Sequence, residues 1–189
     1  MNTTTADINF HELCEKLRSM KLSSMADTLE KQLANPNSGL QSFDERISEI
    51  ICSEWDNRYN KKFNRFLKKA TLKYPTADID ESIYDADRFL DTGTIERLAA
   101  CDWIDEGKNL LITGSTGSGK TYISNALCIS ALRLFHTVRY VKASTLIYEL
   151  EQAQVTGEYL NYTKKLAALD LLVIDDFGLM ELDIDKCRN

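Results

Sequence analysis

The sequence feature that most constrains the fold is a glycine-rich run, Gly114-Ser115-Thr116-Gly117-Ser118-Gly119-Lys120-Thr121. The run fits the pattern G-x-x-x-x-G-K-[ST] at every fixed position. An apolar stretch, residues 109–113, precedes it and predicts a β-strand, and residues 122–135 have the composition of a helix. A strand, a glycine loop and a helix in this order are typical of a phosphate-binding loop in an α/β protein with a parallel sheet.

Each part of this loop has a role in binding a nucleotide. Glycines let the backbone curl until several N–H groups point at one phosphate, and the helix that follows adds its positive end. We expect Lys120 to reach the β- and γ-phosphates and the Thr121 hydroxyl to bind Mg²⁺. The predicted cofactors are therefore ATP and Mg²⁺. The predicted cofactor-binding residues are Gly114, Ser115, Thr116, Gly117, Ser118, Gly119, Lys120, Thr121 and Tyr122.

A second motif follows the loop by about fifty residues. Four apolar residues, 171–174, predict a buried strand that ends in Asp175-Asp176. A parallel strand delivers such carboxylates to the edge of the sheet beside the phosphate loop. We predict that Asp175 orients water around Mg²⁺ and that Asp176 acts in catalysis with Lys120, by positioning the attacking water. Many ATPases have glutamate at this second position, and aspartate is one methylene shorter.

The region between these motifs alternates between helix and strand. We predict a strand over 137–141, a helix from Ser144 to about Val155, a break at Gly157 and a second helical piece to Leu169. This alternation predicts an α/β unit whose parallel sheet is buried on both faces.

The N-terminal part is predicted to be helical. Apolar spacing indicates two short helices over 8–34 and a turn over 35–39. Ser42 and Glu45 then form a capping-box pattern at the start of a long helix that should end before Pro75. The predicted organisation is a helical domain (1–77), an acidic connector with a short helix (78–108) and a partial nucleotide-binding domain (109–189).

The end of the long helix is strongly basic. Residues 58–73 contain no acidic side chain. The basic residues are Arg58, Lys61, Lys62, Arg65, Lys68, Lys69 and Lys73. One interpretation is a surface that contacts the phosphate backbone of nucleic acid. The other is a solvated helix face, with the interleaved aromatic residues 59, 63 and 66 in the core. Residues 1–77 have a net charge of +2 and residues 78–189 a net charge of −8, which suggests different partners for the two parts.

Composition excludes some classes of protein. No apolar run approaches the length of a membrane span, so we expect no membrane association. The five cysteines are scattered without a C-x-x-C pair, which argues against a metal–thiolate site and suits a reducing cytoplasm. We therefore expect a cytoplasmic location.

The motifs together resemble the IstB family of AAA+ ATP-binding helpers of bacterial insertion-sequence transposases, which are related to the DnaC-type helicase loaders. The resemblance covers nearly the whole chain. The residues that carry it are Met20 to Leu22, Met25-Ala26, Trp103-Ile104, 109–121, Val138 to Val141 and Leu171 to Gly178. It implies ATP-dependent self-assembly on double-stranded DNA as a homo-oligomer and stimulation of a partner transposase.

The resemblance also implies a missing part. Thirteen residues follow Asp176, whereas AAA+ modules continue through a further central strand, sensor residues and a trans-acting arginine. We expect a shortened nucleotide-binding unit in which binding is encoded and hydrolysis is impaired. Two alternatives remain open at this point: a helicase loader of the DnaC type, and a non-catalytic DNA-binding or interaction module.

Overall fold

A computed structural model of the protein describes residues 9–79 and 91–177. The chain forms two compact units that divide between Lys62 and Phe63. Much of the predicted acidic connector, residues 80–90, lies outside the described residues, as do residues 178–189, including Gly178 of the second motif.

The first unit is helical. It contains α1 (Phe10–Ser19), α2 (Ser23–Ala34), a 3-10 turn (Pro36–Leu40) and the first part of α3 (Phe43–Ala70). The predicted pair of short helices and the long helix are confirmed. The predicted capping box is confirmed as well: the N–H of Glu45 donates to the Ser42 hydroxyl at 3.3 Å, and the N–H of Ser42 donates to the Glu45 carboxylate at 2.7 Å.

Small side chains and buried polar contacts hold the helices of this unit together. Cys14 and Ala26 are fully buried where α1 meets α2. The Glu54 carboxylate is also buried, and it accepts from the N–H of Ser24 and from Arg58 of its own helix. These contacts satisfy a free N–H at the start of α2 and offset the cost of burying a charge.

The second unit is an α/β domain. It contains the end of α3, then α4 (Thr92–Ala99), α5 (Asp102–Asp105), α6 (Lys120–Arg133), β1 (Val138–Lys142), α7 (Ala143–Val155), α8 (Tyr159–Ala167) and β2 (Leu171–Asp175). The two strands are parallel, with Val138 opposite Leu171 and Lys142 opposite Asp175. At the start of the strands, Asp170 accepts from the N–H and the hydroxyl of Thr137, both at 2.7 Å. The predicted class, an α/β phosphate-loop unit with helical parts, is confirmed.

Helix α6 lies at the centre of this domain. Seven of its fourteen residues are buried, and they pack against the end of α3, against α5 and against β1. Helix α3 ends at Ala70, where Thr71 adopts a left-handed backbone with φ of 54°, before Pro75. None of the helices in the described ranges is both long and apolar enough to cross a membrane.

The strand predicted for residues 109–113 is wrong. This segment carries no strand ladder, and the Leu111 side chain is 81% exposed. A strand is stabilised by hydrogen bonds to a neighbouring strand, and no described strand pairs with this segment. Apolar composition alone therefore does not make residues 109–113 part of the sheet.

Candidate nucleotide-binding site

The glycine run forms a tight loop that ends at the start of α6. Gly114, Gly117 and Gly119 have φ of 155°, 82° and 89°, the region that glycine adopts without strain. A Cβ atom on Gly114 would also lie 3.1 Å from the Ser118 hydroxyl, so a larger residue there would crowd the loop. Gly119 is the N-cap of α6, which places the positive end of the helix at the loop.

Lys120 lies on this loop. Its Nζ donates to the carbonyl oxygens of Gly114 at 2.9 Å and Ser115 at 2.8 Å. The ammonium charge is therefore held over the loop backbone, where an anion bound by the loop would meet it.

The structure brings Thr121 and Asp175 together from different elements. The Thr121 hydroxyl, in the first turn of α6, donates to the Asp175 carboxylate at the end of β2, with oxygen–oxygen distances of 3.1 and 3.3 Å. A hydroxyl and a carboxylate are oxygen ligands of the kind Mg²⁺ prefers, and Mg²⁺ completes its shell with phosphate oxygens and water. These two residues therefore fit the ion that the loop sequence predicts.

The electrostatics of Asp175 suit a carboxylate that stays ionised. Burial raises the pKa of the Asp175 carboxyl, but hydrogen bonds from Tyr140, from the N–H of Asp176 and from Thr121 outweigh burial and lower it. The pKa of Asp175 therefore lies below its ordinary value. A carboxylate held in its charged form is ready to attract a cation.

Two further residues belong to this site although the sequence motifs do not predict them. Tyr140 of β1 is buried, and its hydroxyl donates to Asp175. Asn125 of α6 is fully buried; its amide donates to the carbonyl of Thr121 at 2.7 Å and accepts from the N–H of Tyr74 at 3.1 Å. The only signal for Asn125 in the sequence was a polar residue on the buried side of an otherwise apolar helix. Tyr140 had no signal in the sequence beyond its position in a predicted strand.

Asp176 is placed differently from Asp175. Its backbone is left-handed, with φ of 56°, and its exposed carboxylate lies 3.3 Å from Nζ of Lys142 at the end of β1. Asp176 nonetheless lines the same cavity as the loop and Asp175. The predicted catalytic carboxylate is therefore at the site, and its partner there is a lysine.

Tyr122 faces away from the loop. Its ring packs against Tyr74, and its hydroxyl accepts from the N–H of Asp78 at 3.2 Å. These contacts fix α6 to the chain segment that follows α3. Because the Tyr122 side chain makes these packing contacts, only its backbone N–H could contribute to binding a nucleotide.

A cavity of about 890 Å³ lies between the loop and β2. Its walls are formed by residues 107–114, by the loop and first turn of α6, and by residues 170–177. This space is large enough for a nucleotide. The predicted site residues that line it are Gly114, Thr116, Gly117, Lys120, Thr121, Asp175 and Asp176. The predicted residues that do not line it are Ser115, Ser118, Gly119 and Tyr122.

The seven basic residues predicted to contact nucleic acid are all exposed. Arg58 pairs with Glu54 at 2.8 Å, whereas Lys61, Lys68 and Lys69 form no ion pair with any residue that the structure describes. The interleaved Phe63 and Phe66 pack against the buried core. Phe63 and Phe66 therefore serve packing, and the basic residues lie on the exposed side of this stretch together with Asn60 and Asn64.

Comparison with known sequences finds proteins that are described as ATP-binding. The sequence profile of a family described as IstB-like ATP binding protein matches residues 15–189. A protein described as ATP-binding in insertion sequence IS1162 of Pseudomonas fluorescens is 36% identical over 168 residues, which cover 89% of this chain and 73% of that protein. A protein of Sinorhizobium fredii described as an insertion-sequence ATP-binding protein is 34% identical over 173 residues, covering 92% and 69%.

A glycine loop at the start of a helix, beside the end of a parallel strand that carries an aspartate, is the nucleotide-binding arrangement of α/β phosphate-loop proteins. Within that class, the chain belongs to the IstB-like ATP-binding protein family, whose profile covers most of its length.

Proposed function

We propose that this chain binds Mg²⁺-ATP and acts as a DNA-associated helper of an insertion-sequence transposase. The proposed binding of Mg²⁺-ATP rests on the contact between Thr121 and Asp175 beside the glycine loop. It joins the two sequence motifs in one site that fits the metal-bound form of a nucleotide.

Each residue of the site has a proposed role. The N–H groups of residues 114–122 bind the phosphates, and Lys120 neutralises their charge. Thr121 and Asp175 hold Mg²⁺, which when bound neutralises charge on the β- and γ-phosphate oxygens. Asp176, together with Lys120, is assigned to catalysis, because its carboxylate opens onto the same cavity and can accept a proton from water.

Substitution of Lys120 tests the ATP part. We expect Lys120→Ala to weaken ATP binding roughly 100-fold, because a charged hydrogen bond to phosphate contributes about 1.5–3 kcal/mol. Titration with a fluorescent ATP analogue measures the effect. Lys108→Ala is the matched control, because Lys108 lines the same cavity but pairs with Glu106. Equal affinities of the two variants would contradict the proposal, as would a wild-type chain that binds no nucleotide at millimolar Mg²⁺-ATP.

The DNA part rests on one face of α3. Six of the basic residues recur at helical spacing between positions 58 and 69, which is a length of about 16 Å along the helix. Lys73 follows just after the helix and is also exposed. A row of exposed cations of this length can meet several phosphates of double-stranded DNA without reading its sequence.

The salt dependence of binding tests this face. We plot the logarithm of the DNA association constant against the logarithm of the salt concentration. We expect Lys68→Gln with Lys69→Gln to reduce the magnitude of this slope by about 1.8, since each phosphate contact contributes about 0.9. The matched control is Lys164→Gln with Lys165→Gln, an exposed lysine pair in the last turn of α8. Equal slopes for the two double variants would show that the α3 pair has no special role in DNA binding.

The remaining parts of the proposal concern partners and assembly. Relatives that carry insertion-sequence names support a transposase as partner. We propose a homo-oligomer of the AAA+ type that assembles on DNA with ATP in the cytoplasm. In this proposal residues 1–77 form the domain for assembly, for DNA or for partner contacts. Residues 78–108 are the connector, and residues 109–189 bind ATP. Sedimentation of the chain with DNA, in the presence and absence of a non-hydrolysable ATP analogue, tests assembly. Capture of a helicase, and not of the transposase from the same element, would favour a helicase loader.

A further inference from the structure

Hydrogen bonds link the candidate metal site to the elements around it. The Thr121 hydroxyl donates to Asp175, and the Tyr140 hydroxyl donates to the same carboxylate. The Asn125 amide donates to the carbonyl of Thr121. These contacts join α6, β1 and β2 at the point where the two nucleotide motifs meet.

The donors and acceptors of this network are matched. A tyrosine hydroxyl has one hydrogen to donate, and here it goes to Asp175. The amide N–H of Asn125 serves the Thr121 carbonyl, and its amide oxygen accepts from the N–H of Tyr74. Buried polar groups that are paired in this way hold one arrangement of their side chains.

Burial adds to this rigidity. Asn125 is 0% exposed and Tyr140 is 6% exposed, so water does not compete for their hydrogen bonds. Asp175 itself is only half-buried, because its carboxylate faces the cavity. The buried tyrosine thus reaches one oxygen of a carboxylate that is open to ligands on its other side.

We propose that Tyr140 is a positioning residue for the nucleotide site, and that it fixes the Asp175 carboxylate in the orientation that Mg²⁺ requires. This inference rests on the proposed binding of Mg²⁺-ATP. Carboxylates that bind metals commonly depend on such hydrogen-bond partners, and loss of the partner weakens metal affinity by about 10–100-fold.

The test measures ATP affinity over a range of Mg²⁺ concentrations. The quantity compared is the Mg²⁺ concentration that produces half of the full Mg²⁺-dependent increase in ATP affinity. We expect Tyr140→Phe to raise this concentration roughly tenfold and to leave ATP affinity in EDTA unchanged, which also shows that the variant is folded. Tyr162→Phe is the matched control. Its hydroxyl also donates to a carboxylate, that of Glu149, but neither residue lines the nucleotide cavity. We expect Tyr162→Phe to behave as wild type.

A double variant separates positioning from a general structural effect. If Tyr140 acts through Asp175, Tyr140→Phe has no further effect on Mg²⁺ dependence once Asp175→Asn is present. An equal effect in both backgrounds would overturn the inference, as would a Tyr140→Phe variant with the Mg²⁺ dependence of wild type. A wild-type chain whose ATP binding does not respond to Mg²⁺ would instead overturn the proposed metal site itself.

Discussion

Asp175 and Asp176 are neighbours at the end of β2, but their surroundings differ. Asp175 is half-buried and accepts hydrogen bonds from Thr121 and Tyr140, which lie on two other elements. Asp176 is exposed and contacts Lys142 in an ion pair at 3.3 Å. The fold therefore fixes the orientation of the first carboxylate, whereas a single exposed pair leaves the second free to reorient when a nucleotide binds.

Among changes to the two aspartates and their partners, the largest effect on nucleotide binding is expected from Asp175→Asn. The increase in ATP affinity that Mg²⁺ produces should fall by roughly 10–100-fold, because the carboxylate charge is lost and an amide nitrogen, which cannot bind the metal, replaces one of its oxygens. The measurement is ATP titration with Mg²⁺ and with EDTA. Asp170→Asn is the control, since it removes the same charge at the opposite end of β2. If Asp170→Asn lowered the Mg²⁺-dependent increase by a similar factor, the loss of a negative charge anywhere near β2, and not the position of Asp175, would explain the result.

A smaller effect is expected from removal of the Thr121 hydroxyl. Thr121→Val keeps the shape of the side chain but removes both a metal ligand and a hydrogen bond to Asp175. We expect the Mg²⁺-dependent increase in ATP affinity to fall about tenfold, whereas Thr121→Ser, which keeps the hydroxyl, stays within about twofold of wild type. A serine variant as weak as the valine variant would assign the effect to packing of the methyl group.

Asp176→Asn should change ATP affinity by less than about twofold, with or without Mg²⁺, because its partner Lys142 is not a phosphate-loop residue. The same pair of titrations measures it beside Asp175→Asn. If the two variants lose Mg²⁺ dependence equally, the contrast between the two aspartates is wrong and both carboxylates bind the metal.

The smallest effect is expected from Lys142→Met, which breaks the exposed pair with Asp176. An exposed ion pair contributes about 0.2–1 kcal/mol, so the free energy of unfolding in urea should fall by less than about 1 kcal/mol. ATP affinity should not change. A loss of more than about 2 kcal/mol would indicate that the pair is shielded from solvent in the folded protein, contrary to its exposure here.

Two apolar segments show why the sequence predicts only part of the fold. Residues 109–113 and residues 171–174 are both predicted to be strands, yet only the second segment pairs, in parallel with β1. Strand formation depends on a neighbouring backbone, which local composition does not encode. Helices need no such partner, and the capping box at Ser42 and the helix of the phosphate loop were therefore predicted correctly.

The same reasoning applies to the site. The loop, Lys120, Thr121 and the two aspartates follow fixed spacings whose chemistry is local, and they could be predicted as candidates. Tyr140 could not, because its hydroxyl reaches Asp175 only once β1 and β2 are paired. Asn125 could not, because its amide oxygen meets the N–H of Tyr74, far away in the chain, only when the domain is folded. Their contribution arises from tertiary contacts between residues far apart in the chain.

A metal site between the loop and β2 can be located by paramagnetic broadening of amide NMR signals by Mn²⁺ in place of Mg²⁺, with ATP present. We expect the signals of the glycine loop, Thr121 and Asp175 to broaden first, because these residues surround the proposed metal position. Broadening that begins at other acidic residues, with the loop and Asp175 unaffected, would contradict a metal–nucleotide site between the loop and β2.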